Sequence, residues 1–136
     1  MVVPKEVKSM LGKGKIIAFA TTDKDGMPNI VPILQHWRLD DDVMVIGDLL
    51  LKASRENVLD NGRVCISACN EESGEGYKLK GKAHYEIAGS EYIFVKNEIL
   101  KTKPDAPKGV VIIRFTEVYD ISRLPNAGKL IIGEES

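Results

Sequence analysis

Several features that would assign this chain a partner are missing, and each absence closes a class of function. No sign dominates its charge: 19 basic residues stand against 20 acidic ones, for a formal net charge of -1. With no summed positive field to hold a polyanionic backbone, nucleic acid is not an expected partner. No apolar run approaches the roughly 18 residues that a membrane-spanning helix needs. The first residues also lack the basic, apolar and small-residue regions of a signal peptide. A cytoplasmic protein with no membrane partner is therefore expected. Cysteine is scarce: Cys65 and Cys69 lie in a segment that reads as a strand, where residues four apart share a face but sit too far apart to bond. They are expected to be reduced thiols of the core. Histidine is equally scarce, with only His36 and His84, and no second Cys or His pair follows at metal-ligand spacing, so no metal site is expected. Repeats, low-complexity tracts and linkers are missing too. The 136 residues, 43% of them hydrophobic, suit a single domain spanning 1–136.

What is present reads as strands punctuated by turns. Lys5 to Leu11 places Val7, Met10 and Leu11 at helical spacing, and Gly12 with Gly14 stops the helix. Ile16 to Thr22 is rich in strand formers and is followed by the turn Asp23-Lys24-Asp25-Gly26. A second strand is expected from Pro28 to about Leu39, and a third from Val43 to Ile46 beyond the acidic break Asp40-Asp41-Asp42, the three antiparallel and in sequence order. Leu50, Ala53, Asn57 and Val58 then fall on a helical stripe, with Ser54 as a cap and Asn61-Gly62 as a left-handed stop. Strands follow over Arg63 to Cys69 and Tyr77 to Ile87, the latter alternating with a period of two. Ser90 to Lys101 carries Ile93, Phe94, Asn97 and Leu100 at helical spacing, with Ser90 as the cap. Val110 to Phe115 is the last central strand, extended by Val118 to Ile121 after a bend, and Pro125 to Ser136 is a tail whose Leu130, Ile131 and Ile132 could fold onto a partner subunit. Six strands with interspersed helices predict a mainly β, closed or nearly closed antiparallel barrel, because closure removes exposed edges.

Two segments stand out chemically. The stretch Leu49-Leu50-Leu51-Lys52-Ala53-Ser54-Arg55 gathers two cations, a hydroxyl and the free N–H groups of a helix start, a combination that can hold a phosphate. A solvated helix start in which Ser54 merely caps is the alternative, and composition alone favours it. Pro32 lies within an apolar strand, so that strand cannot be fully paired on both sides and some of its backbone is free. Gly47 suits either a close backbone approach or a simple strand-ending turn. Asn57 could bond the turn that precedes it, or stand as an exposed helix asparagine. His36 and Trp37 suit packing better than catalysis, and Tyr77 and Tyr85 suit a wall or core.

The segments IIAFATTDKDGMPNIVPI, VMVIGDLLLKASRENVLDNGRVCISA and YKLKGKAHYE, in this order, resemble the flavin mononucleotide (FMN)-binding split barrels related to pyridoxamine 5'-phosphate oxidase, over roughly Lys5 to Tyr119. The resemblance implies a six-stranded antiparallel split barrel of the FMN-binding type. It places Lys52 and Ser54 on the flavin phosphate with Arg55 beside them. It also runs Val31, Pro32, Ile33, Leu34 and Gln35 along the ring, sets Ile46, Gly47 and Asp48 next to the ring and ribityl chain, and brings Asn57 into the cofactor site. It further implies a homodimer with FMN at the subunit interface, for which Trp37 and Leu130 to Ile132 are candidate contacts. The implied activity is an FMN-dependent oxidoreductase or flavin-reductase-like electron-transfer protein taking electrons from a nicotinamide or protein donor; no catalytic residue is assigned. A pyridoxamine phosphate oxidase would be longer, with a basic substrate-phosphate site near its C-terminus, whereas this chain ends Gly133-Glu134-Glu135-Ser136. Alternatives are a non-enzymatic FMN-binding electron carrier and a deazaflavin-dependent reductase, whose longer acidic tail would call for more basic residues around Lys52 and Arg55. A barrel holding haem or no cofactor is a third, with His36 the one feature inviting it.

Overall fold

A computed structural model describes residues 3–122 and 128–133. In chain order the elements are α1 (Lys5–Met10), β1 (Ile17–Thr22), β2 (Pro28–Ile33), β3 (His36–Asp40), β4 (Val43–Asp48), α2 (Lys52–Asp60), β5 (Arg63–Cys69), β6 (Gly76–Glu86), α3 (Ser90–Leu100), β7 (Gly109–Asp120) and β8 (Lys129–Ile132). The strands form one antiparallel sheet in the order β2-β1-β5-β6-β7-β4-β3, with β8 added on β7. The path has two ends, β2 and β3, so hydrogen bonding leaves the barrel split. No helix among the described residues is long and apolar enough to cross a membrane.

The mainly β split-barrel class is as expected, but the described residues form eight strands where six were read. The segment from Pro28 to Leu39 is two strands. At Leu34 and Gln35 the chain leaves β2, makes a tight turn in which the His36 N–H donates to the Leu34 carbonyl at 3.1 Å, and enters β3 at the opposite end of the sheet. The first three strands are therefore not neighbours in sequence order: β1 pairs with β2, and β4 with β3 and β7. β8 is the other addition. It lays the segment Leu130 to Ile132 on β7 of the same chain, leaving Ile131 exposed; residues 123–127 and 134–136 of the tail lie outside the described residues. Pro32 is accommodated as foreseen, since β2 is an edge strand paired on one side.

Burial follows a period of two. In β1, Ile17, Phe19 and Thr21 face inward, and in β5, Val64, Ile66 and Ala68 do. Cys65 and Cys69 do share a face, but it is the outer one, with Cys65 half-buried and Cys69 exposed, so neither is a core thiol. β4 and β7 are covered on both sides: Met44, Ile46, Val111 and Ile113 fill the barrel, while Val45, Val110 and Ile112 lie beneath α3. α3 buries Val95 and Ile99; Ile93, Phe94 and Leu100, whose helical spacing marked this element in the sequence, are exposed. Apolar residues surround this helix on most sides, so periodicity could not choose the inner face. Its N-cap is Gly89, not Ser90. Trp37 packs edge-on against Phe94 of the same chain, with ring centroids 6.3 Å apart. His36 is buried, its Nε2 donating to the Lys15 carbonyl at 2.5 Å, and burial lowers its pKa. The ring is thus a neutral core group rather than an open ligand.

Candidate functional site

The site is organised by Asp48, the last residue of β4 and 0% exposed. Its Oδ1 accepts the Leu51 N–H at 2.9 Å, folding the chain into the turn from which α2 begins. Its Oδ2 accepts Arg55 Nη1 at 2.9 Å and the Tyr85 hydroxyl at 2.5 Å. Burial first, and then the bond to Asp48, pushes the Tyr85 pKa up to about 12, which keeps the phenol a proton donor. Leu51 is the N-cap of α2, with no side-chain cap. The first-turn N–H groups of Lys52, Ala53 and Ser54 have no acceptor within the helix and point past its start. Lys52 is exposed there, and no carboxylate stands in the first turn.

Ser54 does not cap. It is 1% exposed on the inner side of α2, where its Oγ accepts Asn29 Nδ2 at 3.1 Å. Asn57 does not bond the preceding turn and is not exposed; its Nδ2 donates to Thr21 Oγ1 at 2.9 Å inside the protein. Thr21 and Asn29 face each other across the β1–β2 hairpin. Two side chains one turn apart on α2 are thus tied to two cross-strand partners, which fixes the helix start against β2. A fully bonded pair of this kind orients without leaving a buried polar group unsatisfied.

Beside this helix start runs an apolar groove of about 200 Å³, formed by Val31 through Gln35 and Gly47 and completed by Leu49, Leu50 and Leu51. Its lining includes Leu51, the residue before Lys52. Ile46 is not in its wall, because its side chain fills the barrel core. Gly47 does answer a close approach, but one from within the protein: a Cβ there would lie 2.6 Å from Ile99 Cδ1 and 3.1 Å from Val95 Cγ1 of α3. It is a paired residue of β4, opposite Val110, and not a strand-ending turn. Leu50, read on the helical stripe, precedes the helix and is 90% exposed at the groove rim. A larger cleft of about 620 Å³ between α1 and the β5–β6 loop, lined by Ser9, Lys15, Cys69 and Glu71 among others, contains none of the residues expected from sequence.

Of the residues expected from sequence, Val31 to Gln35 and Gly47 line the groove, Asp48 and Arg55 bond each other beside the head of α2 where Lys52 is exposed, and Ser54 faces inward onto Asn29. The bonds of Thr21 and Asn29 to α2 and of Tyr85 to Asp48 were not legible in the sequence. Tyr85 lies 37 residues from Asp48 in the chain, and only the β6–β7–β4 pairing brings them together.

Comparison with known proteins adds three findings. A protein of Methanocaldococcus jannaschii described only as uncharacterized is 36% identical over 133 residues, covering 95% of this chain and 87% of that one. The crystal structure of HupZ from Group A Streptococcus superposes with a TM-score of 0.83 at 25% identity, over 94% of this chain and 99% of that one. An FMN-binding protein of Syntrophomonas wolfei superposes with a TM-score of 0.74 at 16% identity, over 88% of this chain and 86% of that one, a likeness of fold alone. The family model described as pyridoxamine 5'-phosphate oxidase matches residues 3–122, spanning every element from α1 to β7, and the chain belongs to that family.

Proposed function

We propose that the protein is an FMN-binding flavoprotein, an oxidoreductase or flavin-reductase-like electron-transfer protein, working as a homodimer in the cytoplasm with the cofactor at the subunit interface. One observation carries the reading: the lining of an apolar groove includes Leu51, the N-cap of α2, so the groove adjoins a helix N-terminus whose first turns bear Lys52 and Arg55. Apolar walls suit the flat ring, the unpaired backbone edge of β2 suits its polar rim, and the helix start suits a phosphate. When bound, FMN would supply the electron-carrying chemistry. The chain's part is to hold the phosphate through Lys52 and the first-turn N–H groups, to keep the ring against Val31 to Gln35, and to exclude water from it.

The groove, about 200 Å³, is smaller than the roughly 300–1,000 Å³ of sites that enclose a ligand. Its lining carries Leu34 and Leu50, both at least half exposed. A second copy covering these side chains would both hide the apolar surface and complete the wall, which supports the dimer. Trp37, the other candidate for that contact, is half-buried and packs edge-on against Phe94, itself 40% exposed. Two free cysteines, one exposed, suit a reducing compartment. Arg55 is paired with Asp48. The local excess of positive charge is therefore small, which favours a monophosphate over the longer acidic tail of a deazaflavin coenzyme. A nicotinamide or a protein is the expected electron donor.

The test is spectroscopic. Purified protein should show the two flavin bands and release FMN on denaturation, and Lys52→Ala should weaken FMN binding at least 5-fold, on the order of one charged contact, with riboflavin binding unchanged. A colourless protein that takes up neither flavin would refute the reading.

A further inference from the structure

The carboxylate of Asp48 is a conspicuous choice for this position. It is fully buried, next to the place proposed for a phosphate, where a negative charge should repel the ligand. Yet every contact it makes is with a donor belonging to the site's frame: the Leu51 N–H at the head of α2, the Tyr85 hydroxyl from β6, and Arg55 Nη1 from the second turn of α2. Two of these contacts fix the carboxylate. Leu51 holds one oxygen, and Tyr85 holds the oxygen that Arg55 uses. Arg55 therefore meets an anchor with one permitted direction. A guanidinium presents five N–H donors in a rigid plane, so a bond through Nη1 orients all the others. The Arg55 side chain remains 24% exposed, and it stands three residues after the exposed Lys52, on the same side of the helix.

We propose that Asp48 is a positioning residue of the phosphate subsite: fixed by Leu51 and Tyr85, it clamps Arg55 by Nη1 so that the remaining guanidinium N–H groups face a phosphate at the start of α2. The inference rests on the flavin reading above and adds how its second cation is aimed. Without the clamp a long arginine side chain would have to be ordered at the moment of binding, at the expense of affinity.

The sign of one mutation separates this role from simple electrostatics. Asp48→Asn removes a negative charge beside the phosphate, so a purely coulombic account expects FMN to bind more tightly. Positioning expects the reverse: FMN affinity falls about 10-fold, the scale of one charged hydrogen bond, while riboflavin affinity stays within about twofold. Arg55→Gln should reproduce that loss, and Asp48→Asn added to Arg55→Gln should weaken FMN no further. Tyr85→Phe leaves the carboxylate and removes one of its supports, so it should give a smaller loss of about 2- to 5-fold, again confined to FMN. Should Asp48→Asn fail to fold, Tyr85→Phe alone and combined with Arg55→Gln runs the same comparison. Tighter FMN binding, equal losses for FMN and riboflavin, or additive effects in the double variant would each overturn the assignment. If Lys52→Ala discriminates between the two flavins and neither Asp48→Asn nor Arg55→Gln does, the flavin site stands and the clamp is refuted. If the unaltered protein binds neither flavin, the parent reading fails and takes this inference with it.

Discussion

Gly47 offers a sharp test of whether α3 or a ligand demands a glycine in β4. Its φ is not among the positive values found at other glycines, so the backbone itself would accept alanine, and losing glycine's freedom in the unfolded chain should stabilise by roughly 0.4–1 kcal/mol. Against this stands the overlap: the added Cβ would lie 2.6 Å from Ile99 Cδ1 and 3.1 Å from Val95 Cγ1. Both neighbours are fully buried and cannot swing into solvent, and overpacking of this kind costs about 1–3 kcal/mol. The net expectation for Gly47→Ala is a loss of about 1–2 kcal/mol. Ile99→Val deletes the clashing Cδ1 itself, at its own cost of about 0.5–1.5 kcal/mol. In that background Gly47→Ala should be close to neutral, giving a favourable coupling of about 1 kcal/mol or more. Urea unfolding followed by fluorescence of Trp37, the single tryptophan, measures all four proteins, and an unchanged m-value licenses the comparison. Two results would refute the reasoning: an alanine that stabilises the unaltered protein, or equal costs in the two backgrounds within about 0.5 kcal/mol. Unchanged stability with lost flavin affinity would return Gly47 to the role of admitting a ligand.

The docking of α2 and the buried histidine give further expectations. Asn57→Ala strands the buried Thr21 hydroxyl and should cost about 1–3 kcal/mol, whereas adding Thr21→Val should recover part of the loss; urea midpoints decide, and no recovery would mean the bond is not what holds the helix. His36 has its pKa lowered by burial, outweighing the opposing bond to the Lys15 carbonyl. The unfolded chain therefore binds this proton more readily than the folded one. Stability from His36 is complete above the ordinary value of 6.5 and is lost as pH falls below it toward the folded-state value. His36→Gln keeps a donor for Lys15 and does not titrate, so its thermal stability should change less between pH 7 and about 5; identical slopes for the two proteins would exclude the histidine as the source.

Much of this protein follows from local rules in its sequence. Alternation placed β1, β5 and β6 within a residue or so, Asp23 to Gly26 marked the first hairpin, and Gly62 at φ 68° ends α2 where Asn61-Gly62 announced a left-handed stop. The order of three segments pointed to the family, and the head of α2, where two cations and free N–H groups are contiguous in the chain, admitted two readings, a phosphate site or a solvated helix start, between which only the resemblance chose. Tertiary structure alone decided what depends on distant partners. It set the break at Leu34 and Gln35, because β2 and β3 find partners at opposite ends of the sheet. It chose Val95 and Ile99 as the inner face of α3. It turned Ser54 and Asn57 from helix-surface residues into bonds to Asn29 and Thr21. Above all it brought Tyr85 to Asp48 and Asp48 to Arg55. The periodicity of a strand or helix is written in neighbours a few positions away, but the donor that meets a buried carboxylate is selected by strand pairing across the whole chain, and no local pattern encodes it.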